Sequence, residues 1–199
     1  MTTVILREIT KCSDLQKTAV RDVRNQLSTR KSMYTEHEIA LDEHLGWVKR
    51  LQSDIRQIVF VVLVDDAVSG VVSVNAIDRL HKKSDWAFYL DENVRGGLGA
   101  ALEYTLINFV FEKLSIEKLN CEVIEINASV VKLHKKFGFV EEGFRRENIE
   151  KDGKRIGVFF LGLTKTDWNK CKSEVYEKYQ KIFEKFEITV EYDGEWFLL

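Results

Sequence analysis

The chain has 199 residues, long enough for one sizeable core, and its 45% hydrophobic and 31% charged content is that of an ordinary globular domain. A formal charge of −2 supplies no field to draw nucleic acid, so any anionic ligand must be met by local groups. No apolar run is long enough for a membrane span and no leader pattern opens the chain. The three cysteines, without CxxC spacing, argue against a disulfide frame or a zinc site. The expectation is a cytoplasmic protein with no metal, no nucleic acid partner and no membrane partner.

Residues 2–9, TTVILREI, read as a first strand. Ser13 is placed to cap an amphipathic helix through about residue 27, and a second helical pattern runs over residues 36–51. Residues 57–77 form two strands about a tight Asp65-Asp66 turn, and SDWAFYL is the next β segment. A glycine-rich loop, DENVRGGLGAAL, leads into a helix from Gly97 to Lys113. EKLNCEVIE is a further strand, and Asn127 is expected to cap a short helix that stops at Gly138. Residues 139–163 make a hairpin about Asp152-Gly153, whose charge-rich RRENIEKDGKR reads as solvated. Beyond Thr164 comes a charged helix with Val175, Tyr179, Ile182 and Phe186 on one stripe, then a last β-like run. That stripe packs on the body or on a second copy, which would make a homodimer. Antiparallel runs around one strand–helix–strand crossover predict a mixed α/β sheet with helices on both faces.

Glycines at a strand-to-helix junction let backbone N–H groups approach an anion. A Walker loop needs Lys-Ser/Thr after its last glycine, and Ala100-Ala101 stand there instead. A dinucleotide fingerprint would use Gly97-Leu98-Gly99, with Glu122 at the spacing of a ribose contact. Leu102, however, occupies its third small position, and the upstream hairpin is antiparallel. A plain turn of the chain is the third reading.

The whole order of elements resembles the GNAT N-acetyltransferases, over about residues 3–164. Gly97 and Gly99 fill the two small positions of that family's Gln/Arg-x-x-Gly-x-Gly/Ala loop, whose leading position is Val94 here, with Arg95 next to it. NASVVKLHKKFGFVEEG is similar to the family's N-x-x-A-x-x-x-Y-x-K-x-G-F signature. The resemblance implies a GNAT-like fold over residues 1–164, a twisted, mostly antiparallel sheet with a central splayed parallel pair, and a helical extension over 165–199. It implies acetyl-CoA as co-substrate, its pyrophosphate held by Arg95, Gly96, Gly97, Leu98, Gly99 and Ala100, and Asn127 beside the pantetheine arm. Backbone groups of Phe88, Tyr89 and Leu90 would meet the thioester oxygen as negative charge develops. An amine would attack the carbonyl directly. The family's usual tyrosine acid aligns with His134, and imidazolium is a stronger acid than phenol.

The acceptor is read from the N-terminal helices. Arg24, Asn25, Met33, Tyr34, Thr35, Ile39, His44 and Trp47 form an R-N…M-Y-T…I…H..W pattern that resembles the N-acetyltransferases of the pseudaminic acid pathway. Those enzymes acetylate the 4-amino group of UDP-4-amino-4,6-dideoxy-N-acetyl-β-L-altrosamine, so a UDP-amino-sugar is the expected partner. Arg24 and His44 would meet its diphosphate, and Tyr34 or Trp47 its uracil. His44 and Trp47, three apart on a helix, can share one cleft, although core packing is the plain alternative for Trp47 and Met33. Ser73 and Asn75 alternate onto one strand face and read as the polar lining of that cleft, Ser73 among the catalytic candidates. Glu122 is the candidate base, with Glu125 on the opposite strand face as its competitor. Two rivals stand beside this reading: transfer to the N-terminal amine of a ribosomal protein, and a non-catalytic module that senses acetyl-CoA.

Overall fold

The computed structural model describes residues 1–94 and 96–198. In chain order the strands are β1 (Thr2–Glu8), β2 (Ile58–Val64), β3 (Ala67–Asp78), β4 (Lys83–Leu90), β5 (Lys118–Ile124), β6 (Val140–Lys151), β7 (Lys154–Thr164), β8 (Phe186–Tyr192) and β9 (Glu195–Leu198). The helices are α1 (Asp14–Asn25), α2 (Leu27–Lys31), α3 (Leu41–Leu51), α4 (Leu98–Glu112), α5 (Ala128–Lys136) and α6 (Lys165–Phe183). The strands form one sheet in the order β6-β7-β5-β4-β3-β2-β1-β8-β9.

The central strand β2, IVFVVLV, is apolar at every position because helices cover both of its faces. Phe60 and Val62 pack under α4, whereas Val59, Val61 and Leu63 meet Val20 of α1 and Val48 of α3. Helix α4 is apolar nearly all round, the pattern of a helix buried between two layers. One layer is the sheet; the other is α6, whose Trp168 stacks edge-on against Tyr104 and donates from Nε1 to Asn108 Oδ1 at 2.9 Å.

Two neighbouring strand pairs are parallel. β4 and β5 pair only at Lys83↔Lys118, Ser84↔Leu119 and Asp85↔Asn120, and then part. β5 stays paired with β7 on its other side through Ile124. The second parallel pair, β1 with β8, was not anticipated: the chain beyond Thr164 is helical only in part, and its strands extend the sheet past β1. Arg7 and Glu191 lock that pair with a two-pronged ion pair. The stripe on α6 packs on the chain's own body, with Val175 buried and Tyr179 stacked on Phe137 at 5.4 Å.

The second helix begins at Leu41 and not at residue 36. Asn25 accounts for the difference: its amide accepts from the Ile39 N–H at 2.9 Å and donates to the Ile39 carbonyl at 3.0 Å, holding that segment extended. Among the described residues no helix is long and apolar enough to cross a membrane.

Candidate active site

Where β4 leaves β5, a cleft of about 600 Å³ opens between them. Trp86 to Leu90 line one side and Cys121 to Ile124 the other; Arg24, residues 28–29 and 32–35, and His134 complete the lining. Beyond Asp85 the edge of β4 that faces β5 has no strand partner; backbone groups of Phe88 and Leu90 face the cleft, whereas those of Tyr89, between them, turn to Val71 of β3 and cannot meet a thioester oxygen. Main-chain donors inside the sheet are thereby left for a ligand.

The glycine loop follows β4. Gly96 and Gly97 have φ of +83° and +90°, left-handed values that glycine reaches without steric cost. A Cβ on Gly97 would stand 2.7 Å from Ile182 Cγ2 of α6, so the extension itself closes over this turn. Leu98 and Ala100 turn their side chains into the core, at 2% and 8% exposure, and can offer a ligand only their backbone. Ala100 N–H bonds the Gly97 carbonyl at 3.0 Å, leaving the Leu98 and Gly99 N–H groups as first-turn donors without intrahelical acceptors. Gly99 lies against the Phe88 ring. Arg95 lies outside the described residues. Parted strands beside a glycine-opened helix fit a thioester-bearing arm and its diphosphate.

His134, on α5, is 3% exposed and is enclosed by the rings of Trp86, Phe88 and Phe139. Its Nδ1 bonds Glu103 Oε1 of α4 at 2.8 Å. Burial pushes the Glu103 carboxyl above the usual range, and the neighbouring imidazole offsets part of that. Asn127 opens α5 beside the cleft but does not cap it: no side-chain bond reaches the helix N-terminus, and its Oδ1 only accepts from Ser129 Oγ at 3.4 Å. A short 3-10 turn, Glu125–Asn127, intervenes and tilts Asn127 out of the capping conformation.

On the acceptor side Tyr34 reaches across the cleft and donates its hydroxyl hydrogen bond to Glu122. Desolvation, with that bond second, raises the Tyr34 phenol above its ordinary range. Glu122 is exposed, so the enclosure expected around a base there is absent. Arg24 Nη2 bonds the Thr35 hydroxyl at 3.0 Å, while Nη1 is buried with no partner among the described residues. Desolvation lowers the Arg24 guanidinium, and opposite it the Tyr89 phenol is raised by burial. Asp85, its carboxyl raised by burial, borders the same space. Asn75 lies at the cleft, fixed by Gln57 Nε2 at 2.6 Å, and donates to Ser73 Oγ at 2.9 Å. Ser73 donates to the Ala87 carbonyl at 3.3 Å and stands behind Asn75, away from the lining.

Three expected substrate contacts are not brought to the cleft. Asn25 is spent on Ile39. His44 is 3% exposed, bonds the Lys17 carbonyl through Nε2 at 2.8 Å and stacks with Trp47 at 5.4 Å, fastening α3 to α1. Trp47 packs on the Val59–Val61 side of the sheet. The shared helix face was real, but it meets the core.

Two groups not expected from the sequence take part. Glu103 is the lone carboxylate inside LGAALEYTLINFVFE up to the helix's last residue, and that interruption of an apolar run was the available signal. Lys151, inside the supposedly solvated hairpin, is buried: it donates to the Arg30 and Met33 carbonyls and pairs with Glu36 Oε1 at 2.8 Å. It thereby anchors the segment that carries Met33, Tyr34 and Thr35 to the cleft.

A sheet split at one parallel pair, with unpaired main chain on one lip and a glycine-opened helix beyond it, defines an acyl-transfer fold. Residues 10–158 match the acetyltransferase (GNAT) domain, and the chain belongs to that family. The spermidine N-acetyltransferase of Vibrio cholerae, solved with CoA and spermine, superposes with a TM-score of 0.76 at 20% identity. That alignment covers 83% of this chain and 98% of that one, a likeness of fold. Acetyltransferase PseH of Campylobacter jejuni is 28% identical over 116 residues, 58% of this chain and 71% of PseH. The putative ribosomal N-acetyltransferase YdaF of Bacillus subtilis is 23% identical over 121 residues, 60% of this chain and 66% of YdaF.

Proposed function

We propose that the protein transfers the acetyl group of acetyl-CoA to the 4-amine of a UDP-linked amino sugar, UDP-4-amino-4,6-dideoxy-N-acetyl-β-L-altrosamine. The observation that carries the acceptor is Arg24: a buried guanidinium nitrogen without a partner among the described residues, beside the hydroxyls of Ser28, Ser32 and Thr35, suits a diphosphate. The resemblance of the α1–α3 segment to sugar-nucleotide acetyltransferases supports it, and PseH is among the relatives.

In this reading the thioester enters between β4 and β5, and the bare N–H groups of β4 stabilise the oxygen as the amine adds to the carbonyl. Glu122, held by Tyr34, takes the amine's surplus proton through water. The C–S bond then breaks, its electron pair goes to sulfur, and His134 supplies the proton that completes the thiol. No covalent enzyme intermediate is involved; much of the rate comes from holding the two reactants in line.

A second reading has an observation of its own. Asp85, Glu92 and Glu122 all border the cleft, and this acidic lining suits a polycation or a peptide amine, the acceptor classes named for the Vibrio and Bacillus relatives. Thiol release from acetyl-CoA, measured with the UDP-amino-sugar, spermidine and a ribosomal N-terminal peptide in parallel, separates the two. Turnover with the sugar nucleotide alone is expected; turnover only with spermidine or peptide overturns the sugar, and coenzyme binding without turnover on any amine overturns catalysis.

A further inference from the structure

Glu103 has no role in the chemistry described so far, yet it is a fully buried carboxylate, 0% exposed, in the middle of a core helix. Burial of this kind is costly unless the group is partnered. Its partner is a single one: Oε1 meets His134 Nδ1 at 2.8 Å, and Oε2 has no hydrogen bond among the described residues. The pair spans two elements, α4 and α5 at the cleft, so it ties the ring bordering the cleft to a helix buried along most of its length.

The surroundings leave the pair to itself. Trp86, Phe88 and Phe139 close around the ring. The titratable groups that face it are Cys121 of β5, with Asp85 and Glu122 beyond it, and Tyr179 of α6. Burial raises both the Cys121 thiol and the Tyr179 phenol, so each stays neutral near pH 7. No lysine or arginine bonds Glu103 among the described residues, and the His134 ring is its one hydrogen-bond partner there.

We infer that Glu103 is a positioning residue that keeps a proton on His134 Nδ1, so that Nε2 is the nitrogen that gives its proton to the departing coenzyme thiolate. Nε2 makes no hydrogen bond among the described residues, and His134 lines the cleft, so this nitrogen is the one left to act. Before transfer the ring carries both protons and the buried carboxylate balances its charge. When the thioester C–S bond breaks, sulfur keeps the bonding pair and takes the Nε2 proton, giving free thiol. The ring that remains is the neutral Nδ1–H tautomer, still donating to Glu103, which stays a carboxylate throughout. Solvent restores the Nε2 proton, in balance with the proton that the attacking amine releases. A buried acid holding one ring nitrogen so that the other can exchange protons is the division of labour used wherever an imidazole works as a proton carrier.

This inference rests on the acetyl-transfer reading for its rate consequences, but its geometry can be tested without activity. In ¹⁵N spectra of the full chain, His134 of the wild type is expected to hold its proton on Nδ1 above neutral pH, and Glu103→Gln to give a tautomer mixture. A wild-type ring protonated on Nε2 alone overturns the inference whether or not any amine is acetylated. With an accepted amine, Glu103→Gln should lower kcat on the order of 10²-fold with the acetyl-CoA KM unchanged, and move the alkaline limb of the pH profile to lower pH. In a His134→Gln background the same change should have no further effect on kcat; an equal loss there would make Glu103 merely structural. If Glu103→Gln does not fold, Glu103→Asp serves: retained tautomer and pH profile with reduced kcat supports the role, and an unshifted rate on a tautomer mixture removes it. Failure of transfer with every amine, with the Nδ1 tautomer intact, counts against the enzymatic reading and leaves the pairing standing.

Discussion

Arg24 and His44 both carry a positive or protonatable group on neighbouring helices, and the fold sends them to opposite fates. Arg24 has one nitrogen without a partner among the described residues at the cleft, so Arg24→Ala should raise the acceptor KM by about 10- to 100-fold, the worth of one or two charge-assisted bonds. Initial rates with each substrate varied check this, and an equal rise in the acetyl-CoA KM would remove the diphosphate role. His44 is spent in the core, where desolvation lowers it from an ordinary value of 6.5. Folding favours its neutral form, so its contribution to stability is whole above about pH 6.5 and fades as pH falls toward the lower folded value. The melting temperature of the wild type should therefore drop more between pH 7 and pH 5 than that of His44→Gln, and parallel curves would place the acid-sensitive group elsewhere. Helical spacing revealed that His44 and Trp47 share a face; it carries no information on whether that face meets a cleft or a core. Lys151 was hidden for a related reason. The register shifts between Arg145 and Ile149 of β6, so simple in–out alternation along the hairpin fails before it reaches Lys151.

At the level of elements, the glycine turn was legible as a place of backbone freedom at a helix start, and both Gly96 and Gly97 take left-handed values there. Its other neighbour was not legible. Gly97 is crowded by Ile182, a contact between residues 85 positions apart (97 against 182), and no local pattern announces it. Gly97→Val should thus act twice. It forces a β-branched residue to a φ of +90° and drives side-chain atoms into α6, costing about 2 kcal/mol or more. It also moves the first N–H groups of α4, so acetyl-CoA affinity should fall in calorimetric titrations of the folded variant. Unchanged affinity would mean that the coenzyme does not use this turn. The succession of strands as far as Thr164 was readable from alternation and turn residues. The extended stretch before α3 was not, since the Asn25 side chain imposes it from another helix.

On the scale of the molecule, residues 165–199 cover α4 and supply β8 and β9, beyond the residues that match the family domain. Removing them would uncover buried Trp168 and Val175 partners on α4 and strip β1 of one neighbour. A chain ending at Thr164 is expected to lose cooperative unfolding in circular dichroism and to aggregate on gel filtration; a melting curve like that of the full chain would show the first 164 residues to be self-sufficient. The parallel pairing of β1 with β8 also orders events in time. Arg7 and Glu191 are 184 positions apart, so a ribosome must carry synthesis past residue 191 before β1 can pair with β8. Until then β1 offers one open rank of backbone groups to any strand that passes, the moment at which a nascent chain most needs a chaperone.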